Sequence, residues 1–247
     1  MAVDEAILSA VATGTAPPSL RLYAWEPPCL SLGRAQKAND ADLSALEVAG
    51  FGLVRRPTGG KAILHIDELT YSVAAPETDP RVEGGVVESY RRLSTGLVCG
   101  LEKLGLVEIV ADQRAARDRL NGPVCFEVPS DYEITVDGQK LVGSAQMRAQ
   151  GAVLQHGTLP LYGDIARICP LLTAHPSPAR VRARAMTVEE AFGRQISWNE
   201  AAAALAKGFA EALNLRLELG ELTEEERTQA QRLRDEKYGA QAWTQRV

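Results

Sequence analysis

The stretch "PVCFEVPSDYEITVDGQKLVGSAQ", residues 123–146, runs through a strand, a turn and a return strand. "YEITV" and "QKLVGSA" are strand-like, and Asp137-Gly138 between them supplies the positive φ of a type I′ turn. The segment predicts a β-hairpin with Cys125 ahead of its first strand and Lys140 on its return. Cys125 follows Asn121-Gly122-Pro123, so it leaves a loop. On the residues alone it reads two ways. Free cysteine commonly packs as a small buried hydrophobe. A nucleophile needs thiolate character, which a nearby cation supplies. Lys140 is close enough in the chain to be that cation, and is otherwise a solvated hairpin lysine.

Outward from the hairpin, strands and helices interleave without a repeat. On the N-terminal side "VDEAILSAV" reads as a short helix closed by Gly14, and "LRLYAW" and "CLSLG" read as strands. Asn39 or Asp40 can cap a helix through "LSALEVAG". "FGLVRRP", a Thr58-Gly59-Gly60 turn and "KAILH" then suggest a hairpin or tight strand return, followed by a strand at "LTYSVAA". A helix over 86–104 carries Val86, Tyr90, Leu93, Leu97, Leu101 and Leu104 at spacings of three or four, a stripe that should face a sheet. Beyond the hairpin, "GAVLQHGTLPL" is one more strand. The last third is mainly helical, with capping-box patterns at Thr187/Glu190, Ser197/Glu200 and Thr223/Glu226. "TAHPSPARVRARA" reads as a mobile loop. Its run of Arg180, Arg182 and Arg184 is either a solvated face or a patch for an acidic partner. Residues 1–247 therefore read as one α+β domain, a mixed β-sheet core with flanking helices and a helical C-terminal flank, without a separate accessory domain.

Composition bounds the function. The chain has 247 residues, 45% hydrophobic and 24% charged, with a net charge of −5. That length buries a substantial core, and the acidic balance argues against a nucleic-acid partner. No apolar run approaches the length of a membrane span. "MAVDEAILSA" lacks the basic and apolar regions of a signal peptide. Four cysteines without C-x-x-C pairs read as reduced cytoplasmic thiols. His65, His156 and His175 are too far apart in sequence to suggest a zinc site, so no metal is expected.

"RRPTGGKAILH" carries chemistry of another kind. Gly59 and Gly60 allow backbone to approach a ligand, and Arg55 or Arg56 can pair with a phosphate or carboxylate. A glycine turn flanked by solvated arginines fits the same string. His156 in "LQHGTL" is either a hydrogen-bonded strand histidine or a base.

Taken together and in order, "VRRPTGGKAILH…ELTYSV", "DGQKLVGSAQ" and "LQHGTLPL" resemble the biotin/lipoate protein ligase superfamily, for which R-R-x-x-G-G with K-x-x-G-x-A is highly specific. The string "CFEVPSDYEITVDGQKLVGSAQ" is similar to one branch, the octanoyl-[acyl carrier protein]:protein N-octanoyltransferases of lipoate-ligase-like type. The likeness extends to Glu236, Lys237, Tyr238 and Trp243 near the end of the chain. It implies that Cys125 accepts the acyl group and that Lys140 lies beside the acyl carbonyl. Arg55, Arg56, Gly59, Gly60, His65, Gly143, Ser144, Ala145, His156 and Gly157 would line the acyl site. It also implies octanoyl transfer without a cofactor, in the cytoplasm. The donor would be octanoyl-acyl carrier protein and the acceptor a lipoyl domain, either glycine-cleavage H protein or an oxoacid dehydrogenase subunit. An ATP-dependent lipoate or octanoate ligase, octanoyl transfer between lipoyl proteins, and a non-catalytic binder of lipoyl domains or acyl carriers are the alternatives. Two features depart from the pattern. Relatives carry Asp directly after the matching histidine, whereas Ile66 precedes Asp67 here. The chain also opens at "MAVDEAIL", which relatives place after an N-terminal strand and turn: either that strand is lacking, which would expose a sheet edge, or the start site has been set too late.

Overall fold

The computed structural model describes residues 1–107, 109–112, 122–127 and 133–247. In chain order the elements are α1 (Ala2–Thr13), β1 (Ser19–Tyr23), β2 (Cys29–Leu32), α2 (Leu43–Ala49), β3 (Gly52–Arg55), β4 (Ile63–His65) and β5 (Glu68–Pro76). They continue with α3 (Val86–Leu104), β6 (Val110–Asp112), β7 (Glu133–Val136), β8 (Gln139–Ala149) and β9 (Ala152–Pro160). The remainder is helical: α4 (Pro178–Arg182), α5 (Val188–Phe192), α6 (Trp198–Ala212), α7 (Glu224–Leu233) and α8 (Gln241–Thr244). The expected α+β architecture is present, divided between two sheets.

The larger sheet runs β1-β5-β9-β8-β7-β6, and the smaller runs β3-β2-β4. The quoted hairpin forms as expected, with Asp137 at φ 49° and Gly138 at φ 74°. β8 is long enough to pair with β7 through its first residues and with β9 from Gly143 to Ala149. Strand alternation then gives the larger sheet two different faces. Leu69, Tyr71, Leu141 and Leu159 belong to a core completed by Leu93, Leu97 and Leu101 of α3 and Leu205 and Phe209 of α6. Only the middle of the predicted α3 stripe is buried; Val86 is exposed. α3 and α6 approach closely at glycines. A Cβ on Gly208 would lie 2.2 Å from the backbone nitrogen of Gly100.

The other face carries Thr70, Ser72, His156 and Thr158, and the smaller sheet and α1 cover it. Leu30 and Leu32 of β2 and Ile63 of β4 form a second core with Val124, Phe126 and Val181. Asp4 of α1 accepts hydrogen bonds from Ser72, Tyr23 and Arg21. The gap between the two sheets is where a site can form.

Three local expectations are corrected. β3 and β4 are not a hairpin: β2 lies between them, parallel to β3 and antiparallel to β4. Apolar alternation identifies strands but not their partners, and the 56–62 connection crosses β2 instead of turning back. The helix of residues 43–49 is capped by Asp42, whose side chain accepts from the Ala45 N–H, and not by Asn39 or Asp40. Residues 173–185 are a docked segment, not a mobile loop. Val181 is buried and Lys140 bridges to Ala185, while Arg182 pairs with Asp164. Of the capping boxes, those at Thr187 and Thr223 are reciprocal. At Ser197 the cap forms, but Glu200 pairs with Arg194.

Candidate active site

Cys125 begins a short 3-10 turn at the mouth of the inter-sheet gap. Its backbone N–H donates to Ala62 O (2.9 Å), and the Ala62 N–H donates to Pro123 O (3.0 Å). The cysteine segment is thereby bound to the chain entering β4. The thiol is half-buried and faces Gly143, where a Cβ would sit 3.7 Å from Sγ. The gap holds a cavity of about 30 Å³, lined by Cys125, Arg56, Gly60, Ile63, His65, Thr70, Gly143, Ala145, His156 and Thr158, among others.

Lys140, 4% exposed, reaches the same turn from β8. Its ammonium donates to Cys125 O at 3.2 Å and pairs with Glu133 Oε1 at 3.1 Å. Lys140 on the return strand of the hairpin thus reaches the Cys125 turn, which its bonds with Ala62 hold in place. Glu133 was not foreseen. Its only sequence signal is a carboxylate within the apolar alternation of "YEITV". The Pro129, Ser130 and Tyr132 of the transferase-like string lie outside the described residues.

Arg56 is buried in the cavity wall. Its guanidinium donates to the backbone oxygens of Ser31, Gly59 and Lys61 and to Ser31 Oγ. Burial pulls its pKa down to about 10, and the Cys125 thiol opposes that shift. Gly60, at φ 95°, is required here, because a Cβ would fall 2.7 Å from Arg56 Nη2. Gly33 is required as well, since its Cβ would meet Gly60 O at 1.9 Å; the sequence reading passed over it.

Arg55 corrects its assignment to the acyl site. Its side chain donates to the backbone oxygens of Gly33, Gln36 and Thr244, and Trp243 Nε1 donates to Arg55 O. It ties the C-terminal helix to the 33–36 loop, away from the cavity. Gly59 also stands back; its carbonyl receives Arg56 and a Cβ there would meet nothing. Ser144 and Gly157 reach the cavity wall through their backbone. The Ser144 hydroxyl accepts from Tyr71 (2.7 Å), and Tyr71 packs on Phe209 of α6, on the opposite face. A Cβ on Gly157 would strike Tyr71, Ser144 and Gly143, each at 2.6 Å.

Two histidines border the cavity. His156 shares a hydrogen bond with Thr58 through Nε2 (2.7 Å), while Nδ1 has no partner and lies 3.8 Å from Asp4. Burial holds its pKa below the ordinary value, partly offset by Asp4. His65 bonds Ser31 Oγ through Nε2 (2.8 Å) and Glu68 through Nδ1 (2.9 Å), and stacks on Trp25 at 4.2 Å. Asp67, displaced by Ile66, turns away at φ 50° and pairs with Arg167. Among the other thiols Cys29 is buried, which pushes its pKa up to about 12, the behaviour of an inert apolar residue. No group of metal-ligating side chains gathers among the described residues, and no described helix is long and apolar enough to cross a membrane.

Comparison with known proteins gives this arrangement its relatives. A profile of the lipoyl protein ligase A/B catalytic domain matches residues 1–210. Octanoyltransferase LipM of Kyrpidia tusciae is 46% identical, with 100% of this chain and 93% of the relative covered. Octanoyltransferase LipM of Symbiobacterium thermophilum is 44% identical over the same shares. Among solved structures, lipoate-protein ligase A bound with ATP superposes with a TM-score of 0.81 at 28% identity, covering 99% of this chain and 92% of that one. A bipartite archaeal lipoate protein ligase with its E2 lipoyl domain, from Thermoplasma acidophilum, gives 0.76 at 27%, covering 99% and 89%. With a family profile over most of its length, and a cysteine and lysine meeting at an inter-sheet cavity, the chain belongs to the lipoyl protein ligase A/B catalytic-domain family.

Proposed function

We propose that this protein is a cytoplasmic octanoyltransferase of lipoate assembly, moving the octanoyl group from acyl carrier protein through a Cys125 thioester to the target lysine of a lipoyl domain. The observation that carries the reading is Cys125 at the mouth of the cavity with the Lys140 ammonium at its own carbonyl. The relatives named octanoyltransferase LipM support the same class of reaction.

In the first step the Cys125 thiolate attacks the thioester carbonyl. The C–S bond to the carrier breaks, and the carrier leaves as its thiol. Exchange of one thioester for another is nearly neutral in energy, so no ATP enters. In the second step the lysine amine attacks, the new C–N bond forms, and Cys125 sulfur takes back the electron pair. Covalent catalysis divides one difficult transfer into two easier ones. Lys140 and the buried Arg56 supply positive potential where charge develops on oxygen and sulfur. Apolar walls between the sheets select the chain; at about 0.8 kcal/mol per buried methylene, six methylenes contribute on the order of 5 kcal/mol.

The likeness to a ligase bound with ATP favours a second reading, an adenylate-forming enzyme. Against it, the arginines expected to face a phosphate direct their N–H groups to backbone oxygens and Ser31. Incubation with octanoyl-acyl carrier protein and no ATP, followed by intact mass, decides. The expected result is an octanoyl adduct that is absent in Cys125→Ala. Acylation of a lipoyl domain by Cys125→Ala with ATP and free octanoate would refute the thioester path.

A further inference from the structure

The reaction leaves a proton that the Cys125–Lys140 pair does not account for. The acceptor lysine arrives as an ammonium, because its unperturbed pKa is near 10.4. On becoming an amide nitrogen it loses two protons. One restores the Cys125 thiol when the C–S bond breaks; the other must leave the gap between the sheets.

A directed hydrogen-bond chain runs from that gap. Arg56 cannot accept, so at Ser31 Oγ it donates (3.2 Å). The Ser31 hydroxyl proton then points to His65 Nε2 (2.8 Å). The Glu68 carboxylate can only accept, so His65 Nδ1 carries the hydrogen between them (2.9 Å). Thr70 also donates to Glu68 Oε1, and Trp25 Nε1 donates to Thr70 (3.0 Å). Every donor in the chain points toward Glu68. Glu68 is 4% exposed, and its Oε2 has no partner. An unpaired buried carboxylate oxygen is costly, and its persistence calls for a role.

Glu68 also lines a second space. An open groove of about 750 Å³ is bordered by Trp25, Asp67, Glu68, Tyr162, Trp198 and Glu200, on the far side of the Trp25–His65 stack from the cavity. His65 borders the cavity and Glu68 the groove, and one hydrogen bond joins them. His156 offers no such outlet. Its nearest carboxylate, Asp4, is at 3.8 Å and is enclosed by Arg21, Tyr23 and Ser72.

We propose that His65 accepts the surplus proton of the incoming lysine ammonium and that Glu68 passes it to the groove. The inference rests on the transferase reading above. The Ser31 hydroxyl swings off His65 Nε2, and an N–H bond of the ammonium breaks as one forms at the lone pair so freed. The Nδ1–H then moves to the Glu68 carboxylate, and water in the groove removes it. His65 touches the acceptor amine and is catalytic; Glu68 acts through it and is a positioning residue. The charged or titratable groups facing the pair are Arg56 through Ser31, Cys29 opposite His65 on β2, Tyr23 of β1, Asp67 with Arg167, Tyr162 and Glu200.

Glu68→Gln tests this, because it keeps the shape and removes the proton acceptor. The two half-reactions are followed separately: octanoyl adduct formation on Cys125, then its transfer to a lipoyl domain. The expected result is adduct formation at the wild-type rate, with transfer slowed roughly ten- to a hundredfold at pH 7 and recovering as pH rises toward 9. A structural defect would slow both steps and would not recover with pH. Coincident transfer profiles for the variant and wild type overturn the relay alone. Absence of any adduct in the wild type overturns the thioester path and the relay with it. Should the variant fail to fold, the wild-type profile decides. Transfer that levels off well below pH 10.4 supports the relay, and a tenfold rise per pH unit up to that value shows that solvent takes the proton and overturns it.

Discussion

Replacing Lys140 by Met takes the ammonium away from the buried Glu133 carboxylate. The pair sits at 3.1 Å with side chains 5% and 3% exposed. Removing one member of such a pair costs about 3–5 kcal/mol, because the survivor keeps its desolvation penalty and loses that ion pair. Lys140→Met also removes a donor to Cys125 O. Glu133→Leu should be destabilising by a similar amount, since it strands the ammonium. Glu133→Leu combined with Lys140→Met removes both charges, and apolar replacements of buried pairs are often close to neutral. The double variant should therefore lie only about 1–2 kcal/mol below wild type, where additivity of the single costs would predict roughly 6–10 kcal/mol. Urea unfolding of the four proteins gives the coupling energy directly. Total stability of a domain is about 5–15 kcal/mol, so the single variants should be visibly marginal. Octanoyl transfer should be lost in the stable double variant as well, which separates the proposed role of Lys140 in catalysis from its role in folding. Additive single costs, or single costs below about 1 kcal/mol, would refute the reasoning by showing that water screens the pair.

Three further outcomes are expected. Gly60→Ala places a Cβ 2.7 Å from Arg56 Nη2 at a φ of 95°; the strain should cost about 1–3 kcal/mol in urea unfolding, and transfer should fall with it. Iodoacetamide at pH 8, followed by peptide mapping, should label Cys125 long before Cys29, whose thiol burial pushes up to about 12; preferential labelling of Cys29 would contradict the site. Burial keeps His156 neutral in the fold, so the unfolded chain binds the extra proton, and stability should fall as pH drops below about 6.5 toward the depressed folded value. In His156→Gln that acid-side loss should flatten, measured as unfolding midpoints between pH 7 and 5.

Much of this molecule is legible in one dimension, and the reason is locality. The 133–149 hairpin follows from Asp137-Gly138 between two strand-like runs, α3 from its leucine spacing, and the ends of α5 and α7 from capping boxes. Each depends on contacts a few residues apart. The place of Lys140 has the same origin, but Cys125 meets it from a turn held by Ala62, more than sixty residues away in the chain. Tertiary structure decided what lies between residues far apart in the chain. Which strand separates β3 from β4 depends on how β2 is covered, and alternation carries no information about partners. Arg55 and Arg56 are neighbours with identical side chains, yet one turns to Thr244 and the other into the cavity wall, because successive side chains at a strand end point to opposite sides. Ser144 carries its hydroxyl to the α6 face by the same alternation. Ser31 and Gly33 acquire their roles only once β2 packs against β4 and the 56–62 connection, and Glu133 once β7 pairs with β8. A buried charge or a glycine without room for a Cβ is defined by what folds against it, and that is set by the packing of distant segments.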